Sequence, residues 1–233
     1  MTASRLTLGG SPVFCPPLPP RSMSCSFQNE SLLHAQGFHP VAGIDEAGRG
    51  PLAGPVLAAA VILPDGFSHP VLRDSKQLTA RQRERLYEEL TARTDIRWAI
   101  AAAEPEEIDR INILRATHEA MRRAFLALSP APAHALIDGL PVPDFPCPHT
   151  ALVRGDQKSF SIAAASILAK VARDRLMQEM DGIHPGYEFS RHKGYGTALH
   201  LERLRVHGPS PIHRRSFLPV QQAVFPFADG TQA

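Results

Sequence analysis

Four carboxylates stand where apolar runs end. Asp45 and Glu46 follow Val41–Ile44, Asp138 follows Ala133–Ile137, and Asp156 follows Ala151–Val153. In an α/β sheet, loops leaving neighbouring strand ends converge on one crevice. Four acids from three segments can therefore meet there. Clustered carboxylates repel, and their pKa values rise unless a cation is present. Hard oxygen ligands with no His or Cys beside them select Mg²⁺ or Mn²⁺ over zinc. Two such ions about 3.5–4 Å apart activate water and stabilise the leaving oxygen in phosphodiester hydrolysis. Each acid also has a plainer role. Asp138-Gly139 is a common turn signal, and Asp156 can cap the helix that follows it. Asp45 and Glu46 are harder to explain so, because adjacent acids at the end of an apolar strand put one of them inward. From these positions alone the metal reading and the structural one stand level.

The elements that must position these acids follow from periodicity and turn chemistry. Val41–Asp45 and Val56–Leu63 are short apolar runs joined by Gly-rich turns and closed by Pro64-Asp65-Gly66, which predicts adjacent strands. Thr79–Arg93 predicts a helix capped by Thr79, with Leu78, Leu86 and Leu90 on one stripe. Ile96–Ala103 predicts a third strand. Ile113–Leu128 predicts a helix with Leu114, Met121, Phe125 and Leu128 at core spacing. Ala133–Ile137 and Ala151–Val153 predict short buried strands. Ser161–Met180 predicts a long helix whose Ala163, Ala164, Ala165 and Ala169 let it lie close on a sheet, and Leu199–Val206 predicts another. Strands first and strand–helix alternation after them give an α/β domain with a mixed sheet. No internal repeat is present.

Of the 233 residues, 43% are hydrophobic and 21% charged, an ordinary globular composition with enough apolar mass for a core. No apolar run reaches the ~18 residues that span a bilayer. Cys15, Cys25 and Cys147 are odd in number and unpatterned, which points to a reducing compartment and away from a disulfide scaffold or zinc site. From Arg154 to Arg215 the chain carries 11 basic and 6 acidic residues, against 14 and 17 elsewhere. A basic C-terminal third suits a polyanionic partner, although a solvated helical face explains it equally simply. His184, His192, His200, His207 and His213 recur at intervals of 8, 8, 7 and 6. This matches no metal-ligand spacing, and they read as surface or phosphate-facing residues. Residues 1–38 crowd Pro16, Pro17, Pro19 and Pro20 among Ser and Gly and predict a disordered tail. The alternative is that Met23 is the true start and residues 1–22 are not made.

The segment Gly43-Ile44-Asp45-Glu46-Ala47-Gly48-Arg49-Gly50-Pro51-Leu52-Ala53-Gly54-Pro55-Val56 resembles the signature of type II ribonuclease H. Three later stretches also match: Asp74–Leu78, Arg154-Gly155-Asp156 running into Ser161–Asp174, and His192–Thr197. The resemblance covers about residues 38–220 in the right order, and several long motifs agreeing together are far more specific than one. It implies a ribonuclease H-like mixed sheet flanked by helices, with a C-terminal helical extension. On this basis residues 39–220 form the catalytic domain and 221–233 a tail. It implies that Asp45, Glu46, Asp138 and Asp156 are the catalytic, metal-holding carboxylates, with Mg²⁺ or Mn²⁺ as cofactor. Gly48-Arg49-Gly50 resembles the loop whose backbone reads the ribose 2′-hydroxyl, and Tyr195 the aromatic that stacks on the following deoxyribose. The substrate implied is an RNA–DNA hybrid, or a DNA duplex with embedded ribonucleotides, cut by a cytoplasmic monomer with no membrane partner.

The residues make physical sense read by themselves. Telling RNA from DNA requires sensing the 2′-hydroxyl, and glycines let a backbone approach a sugar closely, though Gly48-Arg49-Gly50 also suits a tight turn between strands. Tyr195 between glycines sits on a loop, either as an exposed stacking residue or as a core-edge tyrosine. Ser75 and Lys76 can hold a phosphate beside the site, with a helix-leading loop as the alternative, and Lys158, Lys170 and Arg173 are candidate phosphate contacts, with a solvated charge as the alternative for each. Gln221–Phe225 resembles the short motif by which bacterial repair proteins hold the sliding clamp, with packing of a last helix as the alternative. Rival functions are another nuclease of the same fold, such as a resolvase or exonuclease, and a non-catalytic hybrid-binding module.

Overall fold

The computed structural model describes residues 25–72 and 78–224. Among them one mixed five-stranded sheet carries helices on both faces. Its strands are β1 (Val41–Ala47), β2 (Val56–Ile62), β3 (Arg97–Ala103), β4 (His134–Asp138) and β5 (His149–Leu152), in the order β3-β2-β1-β4-β5. The first three form an antiparallel meander, and β4 and β5 run parallel to β1.

Side-chain alternation along β2 builds the two cores. Ala59 and Val61 face a layer made of α2 (Ala80–Ala92) and α5 (Phe160–Ile183), together with Leu86, Leu90, Ala164, Ile167 and Leu168. Val56, Ala58, Ala60 and Ile62 face α3 (Pro105–Ile111) and α4 (Ile113–Leu126), with Ile108, Ala120, Met121 and Phe125. The alanines of α5 bring its axis close to β1. At Gly43 no side chain fits, because a Cβ there would lie 2.1 Å from the carbonyl carbon of Ser161. This contact fixes the first turn of α5 against the middle of β1, two residues before Asp45.

The predicted strands and long helices form within a few residues of their expected ends. Thr79 caps α2 in a reciprocal capping box with Gln82. Three expectations need correction. Leu114 is 49% exposed and lines a groove instead of the core. The strand at Ala151 is a half-buried edge strand, not a buried one, because nothing pairs beyond it. The expected disordered tail does not extend to residue 38. Residues 28–35 form α1 (Gln28–Ala35), and Leu33 packs with Val41, Leu136 and Ile162. Glu30 is buried and accepts hydrogen bonds from the Ser159 and Ser161 hydroxyls and the Ser161 N–H, at 2.6, 2.6 and 2.9 Å. A carboxylate here complements the positive end of α5 and holds the N-terminal segment to the body. Residues 1–24 lie outside the described ones.

After α5 come α6 (Phe189–His192), α7 (Ala198–His207) and α8 (Leu218–Val224), the C-terminal helical extension. The last runs through the expected boundary at residue 221.

Candidate active site

Strands β1 and β4 are parallel neighbours with Ile44 opposite Ile137. The next residue of each is an acid, so Asp45 and Asp138 lie side by side at the carboxyl end of the central strands. β1 continues through Ala47 instead of ending at Ile44. Asp45 and Glu46 are therefore strand residues on opposite faces. Asp45 turns toward α5, on the side of Ser166, and its Oδ1 accepts the Glu46 N–H at 2.7 Å. Glu46 turns toward α4 and accepts from Arg49 at 3.4 Å. Asp138 Oδ1 accepts the N–H of Gly155 at 2.5 Å. That bond ties to β4 the short 3₁₀ turn Gly155–Gln157, which carries the buried Asp156 into α5.

Burial and mutual repulsion dominate the electrostatics of this cluster. Burial, then the charges of Glu46 and Asp138, pushes the Asp45 carboxyl well above its ordinary value, against the Ser166 hydrogen bond. Burial also raises Glu46, countered first by the Arg49 guanidinium. The donors are all oxygen, with no His or Cys among the four acids, which fits a hard divalent ion. Among the described residues no three of these carboxylates bring ligand atoms within 4.8 Å of one another.

Two grooves meet at the Glu46–Arg49 pair. One is lined by Ala47, Gly48, Gly50, Ser166, Lys170 and Tyr195, and the other by Thr117, His118, Met121, Asp138, Gly139 and Leu140. Tyr195 is 41% exposed, which places it on the rim and not at a core edge. The Lys170 Nζ and the Arg173 guanidinium each lie 5.8 Å from its ring centre. Lys170 pairs with Asp174 at 2.6 Å, and Lys158 is exposed. Ser75 and Lys76 lie outside the described residues.

Arg173 requires a correction. It is 1% exposed and donates to the carbonyls of Pro55, Ala53 and Lys193 at 3.0, 3.1 and 3.0 Å. It has no surface to offer a phosphate. Its role is to hold the turn: Gly48 has φ +101°, and a Cβ there would lie 2.1 Å from Arg173 Nε.

The second arginine in this arrangement carries no signal in the local sequence. Arg214 is fully buried and donates to four carbonyls, those of Gly48, Arg49, Pro51 and Gly54, at 2.6, 3.0, 2.7 and 2.9 Å. Backbone bonds from Leu52 to Gly194 and from Arg214 to Leu52 stitch the same loop to the Tyr195 loop. The histidines also differ from expectation. His192, His200 and His213 are buried, not surface residues. His192 and His200 stack 4.3 Å apart, and His200 Nε2 meets His213 Nε2 at 3.0 Å while its Nδ1 meets the Tyr195 carbonyl at 3.0 Å. This packed column supports the Tyr195 loop from behind. Much of the basic excess in this third is likewise engaged internally, with Arg175 on Glu84 and Arg191 and Arg203 on Glu188. Arg154, Lys158, Arg205 and Arg215 remain exposed.

Residues 42–220 match the family model described as Ribonuclease HII. The chain belongs to the ribonuclease HII family. A Ribonuclease HII of Desulfitobacterium hafniense is 54% identical over 195 residues, covering 84% of this chain and 75% of that protein. One of Ruegeria pomeroyi is 52% identical over 200 residues, 85% of each. Among solved structures, ribonuclease H2 of Pyrococcus horikoshii aligns with a TM-score of 0.63 at 28% identity, over 78% of this chain and 96% of that one. An Archaeoglobus fulgidus RNase HII, solved in a complex with PCNA, aligns with a TM-score of 0.62 at 28% identity, over 75% and 92%. The chain is a ribonuclease H hydrolase that cleaves the RNA strand of RNA–DNA hybrids and ribonucleotides in DNA, in a family dependent on divalent metal. Among the described residues no helix is long and apolar enough to cross a membrane.

Proposed function

We propose that cleavage falls on the 5′ side of a ribonucleotide, including one embedded in duplex DNA, and leaves a 3′-hydroxyl and a 5′-phosphate. The observation that carries this is the placement of Asp45 beside Asp138 on neighbouring parallel strands, next to the Gly48–Gly50 groove and Tyr195. Asp45, Glu46, Asp138 and Asp156 would hold Mg²⁺ or Mn²⁺. When bound, two such ions supply the charge that acidifies water and stabilises the departing 3′-oxygen. The protein's own part is positioning. Ser166 faces Asp45 and favours its charged form, and Asp138 fixes the turn that carries Asp156. Gly48-Arg49-Gly50, held by Arg173 and Arg214, presents a rigid backbone to the 2′-hydroxyl. Tyr195 stacks on the next sugar, and Lys158, Lys170, Ser75 and Lys76 contact phosphates.

A duplex with a single ribonucleotide tests the proposal. It predicts one cut, at the 5′ side of that residue, abolished by EDTA and restored by Mg²⁺ or Mn²⁺. A same-fold resolvase or exonuclease, or a binding module, makes no cut there. We infer further that the chain acts as a cytoplasmic monomer in ribonucleotide excision, since the bacterial genome lies in that compartment. Gln221–Phe225 is the proposed clamp-docking segment. Gln221 and Gln222 are exposed at the end of α8, Phe225 lies outside the described residues, and the archaeal relative was solved with PCNA. A peptide of residues 218–233 that fails to bind the host clamp at high micromolar concentration would end that idea.

A further inference from the structure

At the other end of β1, three side chains converge that the hydrolytic site does not use. His34 lies in the last turn of α1, His39 two residues before β1, and Asp65 in the turn after β2. Continuing the β1–β2 register beyond Ala42 and Ile62 places residue 39 across from residue 65. Asp65 Oδ1 stands 3.1 Å from His34 Nδ1 and 3.9 Å from His39 Nδ1, and one ligand atom from each residue falls within 4.8 Å of the others. The two imidazoles meet edge to face with centres 4.5 Å apart. His39 and Asp65 are exposed, so an ion has access.

We propose that His34, His39 and Asp65 form a second metal site, selective for Zn²⁺ or a similar imidazole-binding ion, that staples α1 to the end of the β1–β2 pair where β1 begins and β2 finishes. A tetrahedral ion with ligands at about 2.0–2.1 Å has ligand–ligand edges of about 3.3 Å, and the two measured separations bracket that value. Two imidazoles and one carboxylate suit Zn²⁺, whereas the four carboxylates suit Mg²⁺ or Mn²⁺. Six residues separate His39 from Asp45 along an extended chain, roughly 20 Å. The sites are therefore distinct, and this one holds structure, not substrate. With three protein ligands the fourth position is left to water. Binding would draw together α1, the entry to β1 and the exit of β2, contacts that the unfolded chain lacks, so the ion stabilises the fold by linkage.

The test uses the full chain without an affinity tag, stripped with EDTA and returned to millimolar Mg²⁺ so that the carboxylates are occupied. Zn²⁺ is then titrated by calorimetry and thermal melting, and Co²⁺ is added as a visible-absorbing probe. The wild type and Asp45→Asn should bind one Zn²⁺, gain melting temperature and show imidazole-type Co²⁺ bands. His39→Gln and Asp65→Asn, both at exposed positions, should bind at least about tenfold more weakly and lose the stabilisation and the bands. Zn²⁺ binding that survives both substitutions, that is lost only with Asp45→Asn, or that is absent from the wild type would overturn the proposal and leave the three residues as an ion pair with a neighbouring ring.

Discussion

Arg214 is where the geometry of the substrate loop can be tested most sharply. Its guanidinium supplies donors to four carbonyls between Gly48 and Gly54. Hydrogen bonds to a charged donor contribute about 1.5–3 kcal/mol each, so removing all four puts a large share of a typical ~5–15 kcal/mol stability at risk. Arg214→Ala is thus a poor probe. Arg214→Lys keeps the charge and most of the volume but has three donors on a single nitrogen, which cannot span the fork. Allowing for relaxation, we expect a loss of about 2 kcal/mol, equivalent to about 4–8 °C in melting temperature for a chain of this size. The effect on cleavage should be larger than that number suggests, because a displacement of about 1 Å at a reacting centre costs about 100-fold. We expect kcat/KM on a single-ribonucleotide duplex to fall about 10–100-fold. Cleavage of a long hybrid should fall less, since there many sugars satisfy a loosened reader. The assay is the ratio of those two rates, measured beside a melting curve. An unchanged ratio with a lowered melting temperature would reduce Arg214 to a stabilising residue. An unchanged melting temperature would refute the hydrogen-bond reasoning itself.

Other predictions follow from the same description. Asp45→Asn removes a ligand's charge without changing its shape and should abolish cleavage with Mg²⁺ while keeping or improving hybrid binding; activity within tenfold of wild type would sink the assignment. Tyr195→Ala should weaken junction cutting by the equivalent of roughly 1–3 kcal/mol, on the scale of base stacking. It should leave folding intact because the ring is on the rim, which a melting curve checks. Burial, reinforced by histidine neighbours, holds His200 down to about 4 and His213 down to about 3, both below the unfolded value near 6.5. Above about pH 6.5 neither costs stability, and below it the unfolded chain takes protons that the folded chain refuses, so stability falls as pH drops toward those values. Melting between pH 7.5 and 5 should show that slope, and His213→Asn should flatten it; an identical slope in the variant would remove the column as its source.

What was legible in the sequence was whatever local chemistry enforces. The strands showed as apolar runs because central strands are buried on both faces, and α2 showed because Thr79 and Gln82 cap it within one turn. The acids showed because they break those runs. Contacts between distant residues were invisible. α1 is only eight residues long, and its buried Glu30 is satisfied by serines about 130 positions away, so the segment reads as tail until those serines are in place. Arg173 and Arg214 have carbonyls as partners, and a carbonyl carries no residue identity, so neither arginine's buried role showed. The histidines misled for a related reason. Their intervals match no ligand pattern, and a ring that is buried neutral against other rings leaves no mark in charge or periodicity.

The two kinds of information divide the site in a physically sensible way. Residues proposed to touch metal or substrate must be of particular types at particular places on the strands, and the order of motifs along the chain points to them. Residues that hold those groups in place need only a donor of the right reach, which can come from anywhere in the fold. Both buried arginines act on the Gly48–Gly54 backbone from the C-terminal half, and the Tyr195 loop is bonded to that same backbone through Leu52. The Gly48–Gly54 loop and the Tyr195 loop therefore cannot move independently. A perturbation of the C-terminal helices should reach the Gly48–Gly54 loop before it reaches Asp45 and Asp138, which directly follow the β1–β4 ladder.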